Sequence, residues 1–221
     1  MVRKDFILRM IEQLVAVIHE MAGLKARQDY AAALALLEKT YPRLTGLDGD
    51  VLRGAEFTTL LQLLSFAGEL DLAKVVAAAE LLKEEGDLRA DMDNEALAYA
   101  CYDRALFLFV TLVERHGPML LDGRIERVDA VADAIAVYAL PAATGRRLFD
   151  YYRLTHRYGD AENWLFRVLA ATPDDAELLQ TGTAFFEDLR GRGDRELFMG
   201  GMTRADIEAG LQELRERSDA A

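Results

Sequence analysis

Residues 141–173 read PAATGRRLFDYYRLTHRYGDAENWLFRVLAATP, two stretches of helical spacing joined by a tight turn. Leu148 and Tyr152 stand four apart, and Ala161, Leu165 and Val168 follow at steps of four and three. Each stretch therefore gathers its apolar residues on one helix face. The turn is read at Tyr158-Gly159-Asp160-Ala161. Pro141 suits the first turn of a helix, where its missing N–H is no loss, and Pro173 closes the unit. Ala161 is small where two helices must cross closely, and the aromatic residues fill the space between the arms.

Outward from this hairpin the pattern recurs. Downstream, Thr172-Pro173-Asp174-Asp175 reads as a helix start, with a capping hydroxyl and acids at the positive end. Leu178, Leu179, Phe185, Phe186 and Leu189 carry that helix. Residues 190–202 are a loop or short helix, and Thr203 with Asp206 opens a last helix, Arg204 to Arg217. Upstream, Ile125, Val128, Val131, Ala132 and Ile135 predict an amphipathic helix over 124–139. Before it, Asp93 or Asn94 caps a long helix reaching about Arg115. Its second half, Leu106 to Val113, has no polar face and is expected to be surrounded by protein. A buried strand is the alternative reading of so short an apolar run.

Nearer the start, Phe57, Leu60, Leu61 and Leu64 mark one helix and Leu72, Val75, Val76 and Leu82 another, with breaks at Gly68 and Gly86-Asp87. Ile7, Ile11, Leu14, Ile18 and Met21 form an N-terminal apolar stripe. A helix from Tyr30 through Ala33, Leu34 and Leu37 stops at Tyr41-Pro42, because proline cannot continue the backbone bonding. Residues 42–54, with three glycines, read as a linker. No strand pattern competes. The expectation is a single all-α domain over 1–221, about ten helices in hairpins at roughly 3–40, 55–86, 93–139, 141–172 and 174–217. Such a succession makes a right-handed α-solenoid.

At 221 residues, 52 % hydrophobic and 29 % charged, the chain can bury a core without disulfides or metals. Its net charge of −12 repels phosphate backbones and anionic lipid, which argues against nucleic-acid and membrane partners. The single cysteine, Cys101, forms no internal disulfide. Arg3 and Lys4 precede apolar residues, but Asp5, Arg9 and Glu12 interrupt them and no small-residue cleavage site follows. No uninterrupted apolar run reaches the roughly 18 residues of a membrane span. The chain is expected to be cytoplasmic.

Leu148, Tyr152, Tyr158, Ala161, Leu165, Val168 and Pro173 together resemble a tetratricopeptide repeat. Tyr30, Ala33 and Leu37, and more weakly Leu70, Ala73 and Ala77, keep parts of the same spacing. The intervals are not regular, and Phe149 stands where the family usually has glycine. KDFILRMIEQL together with HRYGDAENWLF is also similar to an uncharacterised bacterial family described as tetratricopeptide-like, which has no established activity. The resemblance implies a peptide-binding concave face made by the first helix of each hairpin.

In the hairpin of residues 141–173 that face would carry Arg146, Asp150 and Arg153, with Arg157 extending the stripe at spacings of four, three and four. A basic stripe on an acidic protein offers charge-assisted hydrogen bonds to an acidic peptide. The competing reading is a solvated face of intrahelical Arg–Asp pairs. His19, His116 and His156 lack a second ligand at metal spacing, and Asp48-Gly49-Asp50 and Asp91-Met92-Asp93 read as turns and caps. Cys101 reads as a small core residue, and Trp164 as a core residue or, in the alternative, an exposed anchor. No catalytic, cofactor or metal motif is present.

The sequence is therefore read as a non-catalytic protein- or peptide-binding module, without cofactor, whose partner and pathway it does not name. The alternative is a structural homo-oligomer, such as a homodimer, assembled through the stripe from Ile7 to Met21. An enzyme with residues assembled from distant helices ranks third.

Overall fold

The computed structural model describes residues 2–118, 125–138 and 140–220, and the side chains of residues 2–9, 11, 125 and 220 lie outside that description. The described residues form twelve α-helices and one minimal β-hairpin, so the protein is all-α. Two compact units are present: Met1–Leu112 with Gly123–Tyr138, and Val113–Asp122 with Ala139–Ala221.

In the N-terminal unit α1 (Val2–Ala26), α2 (Tyr30–Thr45) and α5 (Leu72–Asp91) pack against one another. Met10, Leu14, Val17, Met21 and Leu24 are the buried face of α1, while Val15 is 54 % exposed. Of the predicted N-terminal stripe, Leu14 and Met21 are buried within the unit and Ile18 is half-buried, Val17 taking the inward place beside it; the side chains of Ile7 and Ile11 lie outside the described residues. Asp29 caps α2 by accepting from the Ala32 N–H at 3.2 Å.

The helix does not stop at Tyr41-Pro42. It runs one turn further, and Gly46, at φ 78°, ends it with its N–H donating to the Pro42 carbonyl. An interior proline costs about 3 kcal/mol, but the extra turn buries Leu44 and holds Tyr41 in the core. The segment read as a linker contains a further helix, α3 (Gly49–Gly54), followed by α4 (Phe57–Leu63). Gly68, at φ 84°, turns a hairpin between β1 (Ser65–Phe66) and β2 (Glu69–Leu70), with Ser65 opposite Leu70. Strands of two residues are too short to show a period of two.

Helix α5 also continues through Gly86 instead of ending there. A Cβ at that position would lie 2.5 Å from the Tyr102 ring, so glycine allows α6 (Glu95–His116) to cross closely. The Tyr102 hydroxyl then donates to Asp87 at 2.9 Å. Three acids of α5, Glu80, Glu84 and Glu85, are buried. Glu85 accepts from the Tyr41 hydroxyl at 2.7 Å, from Arg53 of α3 at 2.7 Å, and from Arg89 at 3.1 and 2.9 Å. Arg127 of α7 (Ile125–Ala136) donates to Glu80 and, at 2.6 Å, to Glu84. Each charge removed from water here is matched by an opposite one, as burial requires.

Helix α6 is buried along Leu106, Leu108, Phe109, Val110 and Leu112, as its missing polar face demanded. By length and composition it would suffice to cross a membrane, yet 61 % of its apolar window is buried inside protein. Val128, Val131, Ala132 and Ile135 form the buried face of α7.

In the C-terminal unit α8 (Ala142–Leu154) and α9 (Tyr158–Ala171) are the closest-packed pair, and α10 (Ala176–Arg190) packs against α12 (Arg204–Ala220), with α11 (Asp194–Met199) between them in sequence. The turn of the first pair lies at Thr155 to Arg157, earlier than read, and Tyr158 and Ala161 belong to α9, where they are buried. Asp175 caps α10 by accepting from the Leu178 N–H at 3.1 Å. The Thr172 hydroxyl instead donates to the Val168 carbonyl and closes α9. Thr203 and Asp206 bond reciprocally at the start of α12, at 2.8 and 3.3 Å, as the capping-box spacing predicted.

Gly86→Ala is expected to destabilise the protein by about 1–3 kcal/mol through the clash with Tyr102, read as a lower urea midpoint. Unchanged stability would show that the crossing tolerates a methyl group.

Candidate functional site

Within the C-terminal unit the last turn of α6, the end of α8, the start of α9 and one face of α10 enclose a cleft of about 470 Å³. Val113, Phe185 and Leu189 make its apolar floor. One wall is a closed polar network. The Tyr158 hydroxyl donates to Glu196 at 2.9 Å, and Arg192 donates to Glu196 at 2.7 Å and to Asp188 at 2.9 Å. Burial, then the bond to Glu196, pushes the Tyr158 hydroxyl up to about 12, so it stays a donor at neutral pH. The same bond, followed by the Arg192 pair, holds Glu196 below the usual carboxylate range.

Glycine sets the wall's position. The Gly159 N–H donates to the Gly200 carbonyl at 2.9 Å, and a Cβ on Gly159 would stand 2.6 Å from the Gly201 oxygen. Only a residue without Cβ lets the loop after α11 seat on the start of α9.

The other side of the cleft is not closed. Arg153 donates to Asp150 at 3.0 Å, and its guanidinium lies 5.8 Å from the Phe149 ring centre. Its Nε is buried without a hydrogen-bond partner, the one such side-chain atom among the described residues. Buried donors are almost always satisfied, and leaving one unmade costs about 1–3 kcal/mol. Glu114 lines the same cleft. Burial raises its pKa and Asp150 adds to this, while Arg153 and Arg115 oppose it. His156 is exposed, stacks on Tyr158 at 5.8 Å and has φ 61°, a left-handed backbone. For a non-glycine residue this costs about 1–3 kcal/mol.

The four residues singled out in the sequence do not form one stripe. Arg146 pairs with Asp175 and, at 3.5 Å, with Glu177, so it fastens α8 to the start of α10. The Arg146 bond comes first among the causes that lower the Asp175 pKa. Arg157 is not on α8, which ends at Leu154; it precedes α9, pairs with Asp160 at 2.8 Å and covers the Tyr152 ring at 4.6 Å. Asp150 holds Arg153. Of the four, Arg153 lines the cleft.

The sequence reading did not single out Glu114, Tyr158 or Arg192 as cleft residues, and weighed His156 only as a metal ligand. The described residues contain no cluster of three or more His, Cys, Asp or Glu placed to hold a metal ion. Cys101 is buried, and desolvation, then Glu85, pushes its thiol up to about 12.

The pattern of DUF6483, a family of unknown function, matches residues 1–219. The chain belongs to the DUF6483 family. This agrees with an uncharacterised family as read from the N-terminal helix and the α8–α9 turn. No curated protein and no solved structure matches the chain.

One further group of this DUF6483 chain is held against its preference. Glu162 of α9 faces Asp206 and Glu213 of α12, and burial followed by these two charges raises its pKa from 4.5 to about 7. A raised carboxyl pKa means the folded state binds the proton more tightly, so stability falls as pH rises from about 4.5 through about 7. Glu162→Gln should therefore raise Tm at about pH 8 and lose that advantage near pH 4. An equal gain at both pH values would contradict the assignment.

Proposed function

We propose that this DUF6483 protein is a non-catalytic, tetratricopeptide-like helical-repeat module that binds a peptide segment of a partner protein in the C-terminal cleft. The observation that carries the reading is a cleft of about 470 Å³ with an apolar floor of Val113, Phe185 and Leu189, lined also by Arg153 and Arg192. Binding sites combine apolar lining with a few placed polar groups, and this volume falls in their range. Binding rather than turnover is supported by Tyr158 and Arg192, whose donors are fixed in the Glu196 and Asp188 network.

The repeat-like architecture is supported by the α8–α9 hairpin, where Leu148, Tyr152, Ala161, Leu165 and Val168 meet in the core. A homo-oligomer through the N-terminal helix is the second reading: Leu14 and Met21 are covered within their own unit, while Val15 is exposed and Ile18 half-buried.

Ala184 lines the cleft from its exposed edge, so Ala184→Trp fills it without entering the core. Selection from a random phage-displayed peptide library is expected to yield a consensus whose affinity drops at least about tenfold in this variant, a loss of roughly 1.4 kcal/mol. An empty selection, or peptides that bind the variant equally, would overturn the proposal.

A further inference from the structure

Acceptors stand open in the cleft. Arg192 gives Nε and both terminal nitrogens to Asp188 and Glu196, and Tyr158 gives its hydroxyl to Glu196. Arg153 donates to Asp150, and its Nε is buried out of a ligand's reach. On the acceptor side, Asp188 receives Arg192 on Oδ2 alone, so Oδ1 carries no bond. Glu114 lines the cleft, is exposed, and has neither a hydrogen bond nor an ion pair among the described residues. A carboxylate with both oxygens unbonded matches the fork of a guanidinium or the donors of an ammonium.

The location of Glu114 also favours a cation. It lies in the last turn of α6, the negative end of the helix dipole, where a positive group is stabilised and a carboxylate is not. Burial, then Asp150, raise its pKa against the pull of Arg153 and Arg115, so it is partly desolvated with no partner in bonding range. Around the cleft the acids Glu114, Asp150, Asp188 and Glu196 outnumber Arg115, Arg153 and Arg192. A chain of net charge −12 steers cations towards such a place. The floor of Val113, Phe185 and Leu189 adds an apolar requirement that a bare cation does not meet.

We infer that the cleft recognises a basic peptide segment, one Arg or Lys side chain seated on the Glu114 carboxylate with a neighbouring apolar side chain on the floor. The inference rests on the proposed peptide-binding reading and names its specificity. Asp188 adds negative charge to the same cleft through its open Oδ1. The acidic ligand that a stripe of arginines would call for finds Arg146 and Arg157 already paired, with Asp175 and Asp160.

The test uses the full chain and three pools of fluorescein-labelled nonapeptides, degenerate except for a central Arg, Gln or Glu followed by Leu, read by fluorescence polarisation. The Arg pool is expected to bind about tenfold tighter than the Gln pool, and the Glu pool weakest. Glu114→Gln should cut the Arg/Gln ratio by about threefold or more while keeping Gln-pool binding. Glu69→Gln removes one exposed charge from the N-terminal unit and should leave the ratio unchanged, which separates the cleft from the general acidity of the chain. Thermal melts verify folding, and Glu114→Ala repeats the measurement should Glu114→Gln fail to fold. An Arg/Gln ratio near one, one that survives loss of Glu114, or one that falls equally in Glu69→Gln overturns the inference. The peptide-binding reading then still stands if Ala184→Trp blocks the Gln pool. Absence of binding by any pool rejects both.

Discussion

The Glu85 carboxylate is wholly withdrawn from water, and three helices close around it. Tyr41 reaches it from α2, Arg53 from α3 and Arg89 from the next turn of α5 itself. An unmatched charge at such a place costs several kcal/mol, so these helices hold their positions or the unit loses them together. Glu80 and Glu84 repeat the arrangement with Arg127, which ties α7 to the same helix. A chain of net charge −12 that buries three acids on one helix needs each of them matched.

The same rule gives the C-terminal cleft its meaning. Glu196 and Asp188 are both paired with Arg192 there. Against that background the unpartnered Nε of Arg153 stands out. Glu114, whose pKa burial raises, lines the same cleft. Sites that bind are where a fold leaves valence unfilled, since a group already satisfied has little to exchange for a ligand.

Local chemistry was legible in the sequence and distant partners were not. The start of α12 was readable because Thr203 and Asp206 bond each other within one turn. The burial of α6 followed from an apolar run with no polar face. Helix α2 outran Pro42 because Tyr41 is held by Glu85, far along the chain. Gly86 failed to break α5 because its real role is to admit the Tyr102 ring. Of the candidate stripe, Arg153 proved to line the cleft, whereas Arg157 fell beyond the end of α8. The cleft itself was hidden, since Glu114, Arg153 and Arg192 come from segments that no local spacing relates.

The central claim is that the C-terminal cleft binds a peptide segment, and the backbone amide resonances of the residues that line it report this directly. Those of Glu114, Thr181 and Arg192 should move together when a library-selected peptide saturates the protein, and stay in place when the same peptide is added to Ala184→Trp. A bound peptide that leaves these resonances unmoved would contradict the claim.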